Sequence, residues 1–277
     1  MDLPDAVGHP VFPSTLESLI ARHGGTVLDI ARESVEREDV LEFEVPDPQI
    51  LVPLMPSSIR SFTAFERRSR RARSGTGKAS VTAVPLYSRR EHRAMLGPDE
   101  EVAWPPFTEQ LDFEAQMACV VGSGGRDLSA TQAGAGIFGY VLMNGWVARD
   151  VEGQEIGTGV GPGKSRDFAC SLGPYVITAD ELDPASVEMV VRVDEDVWAE
   201  GAAAGMQWTF PELLAYASLG EEVWPGDVLA SGPFTGGSGA DAGQFPAPGS
   251  TVELEGGPLG ALRSRIGPKP RRLARVR

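Results

Sequence analysis

Histidine is scarce in this chain, with His9, His23 and His92 the only three among 277 residues. Histidine is the side chain whose ordinary charge change falls near neutral pH, so catalysis built on an imidazole dyad has little to draw on. His9 and His23 lie in a peripheral N-terminal segment, and His92, within Ser88-Arg-Arg-Glu-His-Arg93, reads as a surface side chain among charges. Cysteine is scarcer still. Cys119 and Cys170 both sit in apolar surroundings, which suits buried free thiols of a reducing compartment better than a disulfide. Positive charge is outnumbered: 25 Lys and Arg against 39 Asp and Glu leave a formal charge of −14. Nucleic-acid binding runs on phosphate neutralisation, so this balance argues against a polyanion partner. Aromatic residues, at 7%, add little capacity for base stacking. No uninterrupted apolar run approaches the ~20 residues of a membrane helix, and MDLPDAVGHP has no basic segment leading into an apolar core. The expectation is a cytoplasmic protein with neither a nucleic-acid nor a membrane partner.

What is abundant is glycine (33) and proline (22), which favour many short strands and tight turns over long helices. Ser14 or Thr15 can cap a helix carrying Leu16, Leu19, Ile20 and Ala21, and residues 26–37 allow a second. Residues 57–73 are helical in character, with Ile59, Phe62 and Phe65 followed by a run of arginines from Arg67 to Arg73 that reads as a solvated face. Residues 81–87, 169–178, 187–193 and 228–230 read as strands, residues 251–254 and 259–266 as a final strand pair, and residues 209–218 as a helix. Residues 153–164 read as a glycine-rich loop.

The chain is organised around residues 111–150. Leu111, Phe113, Ala115 and Met117 alternate with Asp112, Glu114 and Gln116, the period-2 pattern of a strand with two unlike faces. Glu114 and Gln116 point the same way, as rim decoration or as the floor of a site. Familiar motifs fail. Residues 158–165 lack the leading glycine of a phosphate-binding loop and lead into a strand pattern rather than a helix, and Gly77-Lys78 ends in alanine where a hydroxyl is needed. Dinucleotide fingerprints, paired-cysteine zinc spacings and a Gly-x-Ser-x-Gly elbow are also absent from the sequence.

Taken in order, the central stretch, Gly163-Lys-Ser165, Leu172-Gly-Pro174, Pro225-Gly-Asp227, Ser231-Gly232 and Leu259-Gly260 resemble the fumarylacetoacetate hydrolase family. The resemblance covers roughly residues 53–267 and implies an α+β, β-rich fold, a mixed β-sheet roll. A small N-terminal α/β segment (1–52) would precede it and a basic disordered tail (268–277) would follow. It further implies chemistry on 2-oxo and 1,3-dicarbonyl acids at a magnesium, calcium or manganese ion held by carboxylates, and a homodimer.

Against that pattern this chain departs at the metal. The family's Glu-x-Glu is Glu114-Ala-Gln116, its Asn-Asp pair is Asn144-Gly145, an upstream aspartate falls on Ser61 and the family's histidine base on Arg68. One of four carboxylates survives, too little anionic oxygen for a hard divalent ion, so no metal and no cofactor are expected. By position, Gln116, Tyr140, Asn144, Arg149, Asp150, Glu152 and Arg68 should surround a small carbonyl acid. Arg149-Asp150 can equally be a structural pair. Glu114 would be the acid/base, its pKa raised in a desolvated pocket, with Lys164 pairing with it or polarising the substrate carbonyl. The expected activity is a metal-independent isomerisation, cyclisation or carbon–carbon cleavage. The alternative is a non-catalytic scaffold that binds a small acid or a protein partner.

Overall fold

The computed structural model describes residues 13–22, 25–37, 49–65 and 83–271, together with Val7 and Asp39. The described part of the N-terminal segment is two helices, α1 (Leu16–Ala21) and α2 (Gly25–Val35). Thr15 caps α1 through a reciprocal capping box with Ser18, satisfying orphan donors of the first turn. Ile20 is fully buried among Leu54, Ile59 and Val120, and Glu17 Oε1 accepts from Met55 N at 2.8 Å. The segment therefore docks onto the main body.

Fourteen strands are formed by the described residues. In chain order they begin β1 (Ile59–Phe62), β2 (Tyr87–Arg90), β3 (Met95–Leu96), β4 (Glu101–Val102), β5 (Leu111–Asp112) and β6 (Ala115–Val121). Helix α3 (Ala130–Ala135) precedes β7 (Ile137–Gly145), β8 (Val147–Ala148) and helix α4 (Arg149–Gly157). Strands β9 (Cys170–Thr178), β10 (Glu188–Val193) and β11 (Asp196–Ala202) lead to helix α5 (Phe210–Ser218). Strand β12 (Val228–Ala230), helix α6 (Gly239–Ala242) and strands β13 (Thr251–Glu255) and β14 (Ala261–Ile266) complete the chain. The main sheet runs β2-β1-β12-β6-β7-β9-β3, mixed in direction, and a second runs β11-β10-β13-β14-β4. Strands β5 and β8 pair separately beside the main sheet.

Strand β6 shows how the layers form. Met117, Cys119 and Val121 enter the large core shared with the second sheet, while Ala118 and Val120 enter the layer that Ile20 completes. Every residue of β6 is buried, and the expected alternation holds at its start: Ala115 and Met117 enter the core, as Leu111 and Phe113 do, while Gln116 turns to the polar side with Asp112 and Glu114. Beyond Met117 both sides are covered by core, and the run is continuously apolar.

Several expectations are corrected. Residues 59–62 form a strand, not a helix. Ile59 packs on one side of the sheet and Phe62 on the other, so a three-residue apolar spacing is satisfied by two buried faces as well as by a helix stripe. The glycine-rich stretch after Asp150 begins as helix α4, whose Gly153 and Gly157 have open space around their Cα atoms. Of the strand expected over 81–87, residues 81 and 82 lie outside the described residues, 83–86 are not strand, and Tyr87 begins β2. Helix α3 and edge strand β11 were not anticipated, being short, alanine-rich and largely exposed respectively.

Candidate active site

Glu114 lies just before β6, where its backbone bridges to Ser238. Its backbone N donates to Asn144 Oδ1 at 3.2 Å and its carbonyl accepts from Gly145 N at 2.9 Å. These bonds fix the residue against the end of β7. The side chain is wholly buried and is met by three guanidinium groups. Arg166 from the loop after α4 binds it with both forks, Nη1 to Oε2 at 3.1 Å and Nη2 to Oε1 at 3.0 Å. Arg149, at the start of α4, reaches Oε1 from Nη1 at 3.1 Å. Arg90, at the end of β2, donates from Nη2 to Oε2 at 2.9 Å.

Two more carboxylates close the cluster. Arg149 donates from Nε to Asp112 Oδ2 at 2.6 Å and from Nη1 to Glu152 Oε2 at 2.8 Å. Arg166 donates to Glu152 Oε1 from Nε at 2.8 Å and from Nη2 at 2.5 Å. Asp112 also accepts from Gly239 N and Ala240 N of α6. Three carboxylates thus face three guanidiniums. Such a buried network is tolerated because its members are paired and hydrogen-bonded.

The electrostatics follow. Burial works against the charge of Arg149 and Arg166, but Glu114 and Glu152, joined at Arg149 by Asp112, more than reverse this and hold both above the usual arginine range. Arg90 differs. Complete burial, reinforced by neighbouring Arg166, lowers it despite Glu114. Burial pushes Glu152 up, yet Arg166 and Arg149 outweigh it and leave its carboxyl below the ordinary value. For Asp112 burial prevails over Arg149 and raises it.

Above the cluster is a cavity of about 220 Å3, with Ser61, Thr63 and Ser88 on one side and Glu152, Arg166 and Ile156 on the other. Glu152 and Arg166 line it, whereas Glu114 lies beneath, fully buried.

The expected site residues divide accordingly. Glu114, Gln116, Asn144, Arg149 and Glu152 come together. Gln116 donates from Nε2 to Glu114 Oε2 at 3.4 Å, and its Oε1 accepts from Ser61 Oγ at 2.9 Å and Gly232 N at 3.1 Å. Lys164 does not join them. It is exposed, with Nζ 4.9 Å from the centre of the Phe107 ring, and two residues on Arg166 takes the inward place. Glu155 holds this loop by accepting from Gly163 N at 3.1 Å and Ser165 Oγ at 2.5 Å. Asp150 turns away as well, accepting from Thr108 Oγ1 and from Glu109 N, so it does not pair with Arg149. Tyr140 packs 5.4 Å from the Phe210 ring in the core, four residues up β7 from Asn144 or ~13 Å at strand rise, and burial lifts its hydroxyl to about 12. Arg68 lies outside the described residues. Glu114 is not an isolated carboxylate awaiting a proton, because three guanidiniums compensate it.

Arg90, Arg166 and Asp112 escaped sequence reasoning. Arg90 looked like one charge in a surface run, and only the pairing of β2 with β1 turns it inward. Arg149 and Glu152 were expected in the site, but the helix that sets them three residues apart on one face was not, because the stretch from residue 153 reads as loop.

A hard divalent ion needs several oxygen ligands, preferably charged. Both Glu114 oxygens accept from guanidiniums, the Gln116 oxygen is taken by Ser61 and Gly232, and Gly145 has no side chain to offer. Among the described residues, no three His, Cys, Asp or Glu are grouped to hold a metal ion. The residues present do not fit the family's ion.

A roll of mixed sheets with an acid–arginine cluster under a small cavity defines a β-rich α+β domain. Residues 58–267 match the family described as fumarylacetoacetate (FAA) hydrolase, C-terminal, and the chain belongs to this family. It is 31% identical over 162 residues to oxaloacetate tautomerase YisK of Bacillus subtilis, covering 58% of this chain and 53% of that protein. It is 29% identical over 193 residues to the human mitochondrial oxaloacetate tautomerase FAHD2A, covering 67% of this chain and 60% of the relative. The matches thus span between half and two thirds of these curated relatives. Among solved structures, the fumarylacetoacetate hydrolase of psychrophilic Exiguobacterium antarcticum shares the fold, with a TM-score of 0.74 at 24% identity over 94% of this chain and 90% of that one. The 2-hydroxyhepta-2,4-diene-1,7-dioate isomerase of Mycobacterium marinum gives 0.65 at 24% identity, covering 80% and 78%. No helix of the described residues is long and apolar enough to cross a membrane.

Proposed function

We propose that this chain is an enzyme that moves a proton within a small 2-oxo or 1,3-dicarbonyl acid, an isomerisation or tautomerisation carried out by side chains without a divalent ion. The observation that carries the reading is the Glu152–Arg166 pair, the part of the charged cluster that opens onto the cavity. The names of the tautomerase relatives favour proton transfer over carbon–carbon cleavage or cyclisation. The cavity, about 220 Å3, falls below the ~300–1,000 Å3 of sites for drug-sized ligands, which suits a small acid.

In this reading Arg166 receives the substrate carboxylate, for which its planar fork is matched. Drawing that guanidinium away removes the leading attraction that lowers Glu152. Glu152 then takes the proton from the carbon beside the carbonyl; the C–H electron pair becomes the carbon–carbon π bond, and the carbonyl π pair moves onto oxygen as an enolate. Arg166 stabilises this charge. Glu152 returns the proton to the oxygen, and the proton count closes. Glu114 acts as the buried anchor of the three arginines rather than as acid/base. The ligand is a small-molecule carbonyl acid, and the same reading takes the chain as a cytoplasmic homodimer, checked by sedimentation.

The test follows the enol absorbance of oxaloacetate and of other 2-oxo and 1,3-dicarbonyl acids. Wild type should speed equilibration, and Glu152→Gln should lower kcat by roughly 100-fold, the usual scale of a lost general base. Unchanged turnover in Glu152→Gln removes the assignment of the base. Absence of acceleration for every acid tried removes the enzymatic reading and leaves the scaffold alternative.

A further inference from the structure

Arg90 is the one arginine of the cluster with no exposed side-chain surface. Beside Glu114, its acceptors are backbone carbonyls, Trp146 O at 3.1 Å and Arg166 O at 3.4 Å from Nη1. Its Nε has no hydrogen-bond partner among the described residues. Leaving such a donor dry is costly, so the guanidinium is held by its charge partner and not by a complete set of bonds.

The space it fills exists because of Gly145. A Cβ built there would lie 2.6 Å from Arg90 Cζ and 2.9 Å from Gln116 Nε2. Any other residue at 145 must expel the guanidinium or be strained. The charges also close only with Arg90 present: Asp112, Glu114 and Glu152 give −3, and Arg90, Arg149 and Arg166 give +3. A divalent ion added to this balanced set would leave it at +2, with three guanidiniums already on the only carboxylate at this position.

We propose that Arg90 is the cluster's resident cation, admitted by Gly145, and that it excludes divalent ions from Glu114. The residues that make the pocket indifferent to metal are then Arg90 and Gly145 together with Gln116. This rests on the geometry of the cluster and is independent of the catalytic reading.

The experiment measures manganese uptake by electron paramagnetic resonance and thermal shift, without any activity assay. Four proteins are compared: wild type, Arg90→Ser, the double variant Gln116→Glu/Gly145→Asp, and the triple variant carrying all three changes. Wild type should be silent. The triple variant removes the resident cation and adds two carboxylates, so it should bind one manganese and gain roughly 5 °C in Tm when the ion is well above its Kd. The double variant, with Arg90 retained, should bind at least about 10-fold more weakly or fail to fold, on like-charge exclusion. One tightly held manganese in wild type overturns the proposal, as does a folded triple variant that ignores the ion or a double variant that binds equally well. If the triple variant does not fold, the pair Gln116→Glu and Arg90→Ser/Gln116→Glu decides: tighter manganese uptake by the variant that lacks Arg90 supports the proposal, and equal uptake, or none by either, overturns it.

Discussion

Arg166 grips Glu114 with two parallel bonds, 3.1 Å and 3.0 Å, and turns the rest of its guanidinium to Glu152. One residue thereby joins a sealed carboxylate to one that faces the cavity. The buried half of the cluster can serve stability while the open half remains available to a ligand.

Removing Glu114 exposes that dependence. Glu114→Ala leaves three guanidiniums over two carboxylates, and breaking a buried pair in this way costs about 3–5 kcal/mol. Urea denaturation should show a fall of that size, and Glu114→Gln should be destabilised too because it keeps the shape but not the charge. A loss under ~1 kcal/mol for both would mean that the cluster does not hold this end of the sheet.

The acid limb of stability should carry a contribution from Glu152. Its carboxyl is lower in the folded chain than in the unfolded one, where it titrates near ~4.3. The unfolded state therefore binds more protons in the window between the two values, and stability rises with pH there. The contribution is complete above the unfolded value and is lost as pH falls through the folded one. Asp112, raised by burial, works in the opposite sense. Subtracting the pH profile of Glu152→Gln from that of wild type should isolate a component that shrinks with acid, and a flat difference would contradict it.

Lys164 and Arg166 should separate cleanly. Lys164→Met removes an exposed cation–π contact with Phe107 worth about 0.5–1 kcal/mol and should leave kcat/KM within about threefold. Arg166→Met should raise KM for a carboxylate substrate and destabilise the fold as well. Steady-state kinetics on the acid that wild type turns over would show whether the order is reversed.

Gly145→Ala should cost about 1–3 kcal/mol through crowding of Arg90. In an Arg90→Ala background that crowding is absent, so a double-mutant cycle should return a coupling energy of about 0.5–3 kcal/mol. Additive effects would show that the two residues do not compete for one space.

The two thiols should be inert. Burial lifts Cys119 to about 12 and Cys170 to about 11, and reactivity follows the thiolate. A thiol reagent at pH 8 should find neither group in the native chain and both after unfolding.

The sequence by itself determined most of the strands and the family. Strand-period alternation and glycine- and proline-marked turns place strands β9, β10 and β12, the β13–β14 pair and helix α5 within a residue or two of where they lie, while the run read as one strand from Leu111 divides into β5 and β6. The order of the motifs reveals the family, and the resemblance places Glu114, Gln116, Asn144 and Ser61 in neighbouring positions, which the strands bring within hydrogen-bonding distance of one another. What only the tertiary structure decided is the charge environment. Arg90 and Arg166 come from a strand and a loop 76 residues apart, bridged by the Arg90 Nη1 bond to Arg166 O, and reach Glu114 from opposite sides of its chain position. Local spacing cannot reveal such an encounter. A carboxylate's chemistry is set by which charges are folded against it, and here three arginines gathered from distant segments make Glu114 a buried anchor.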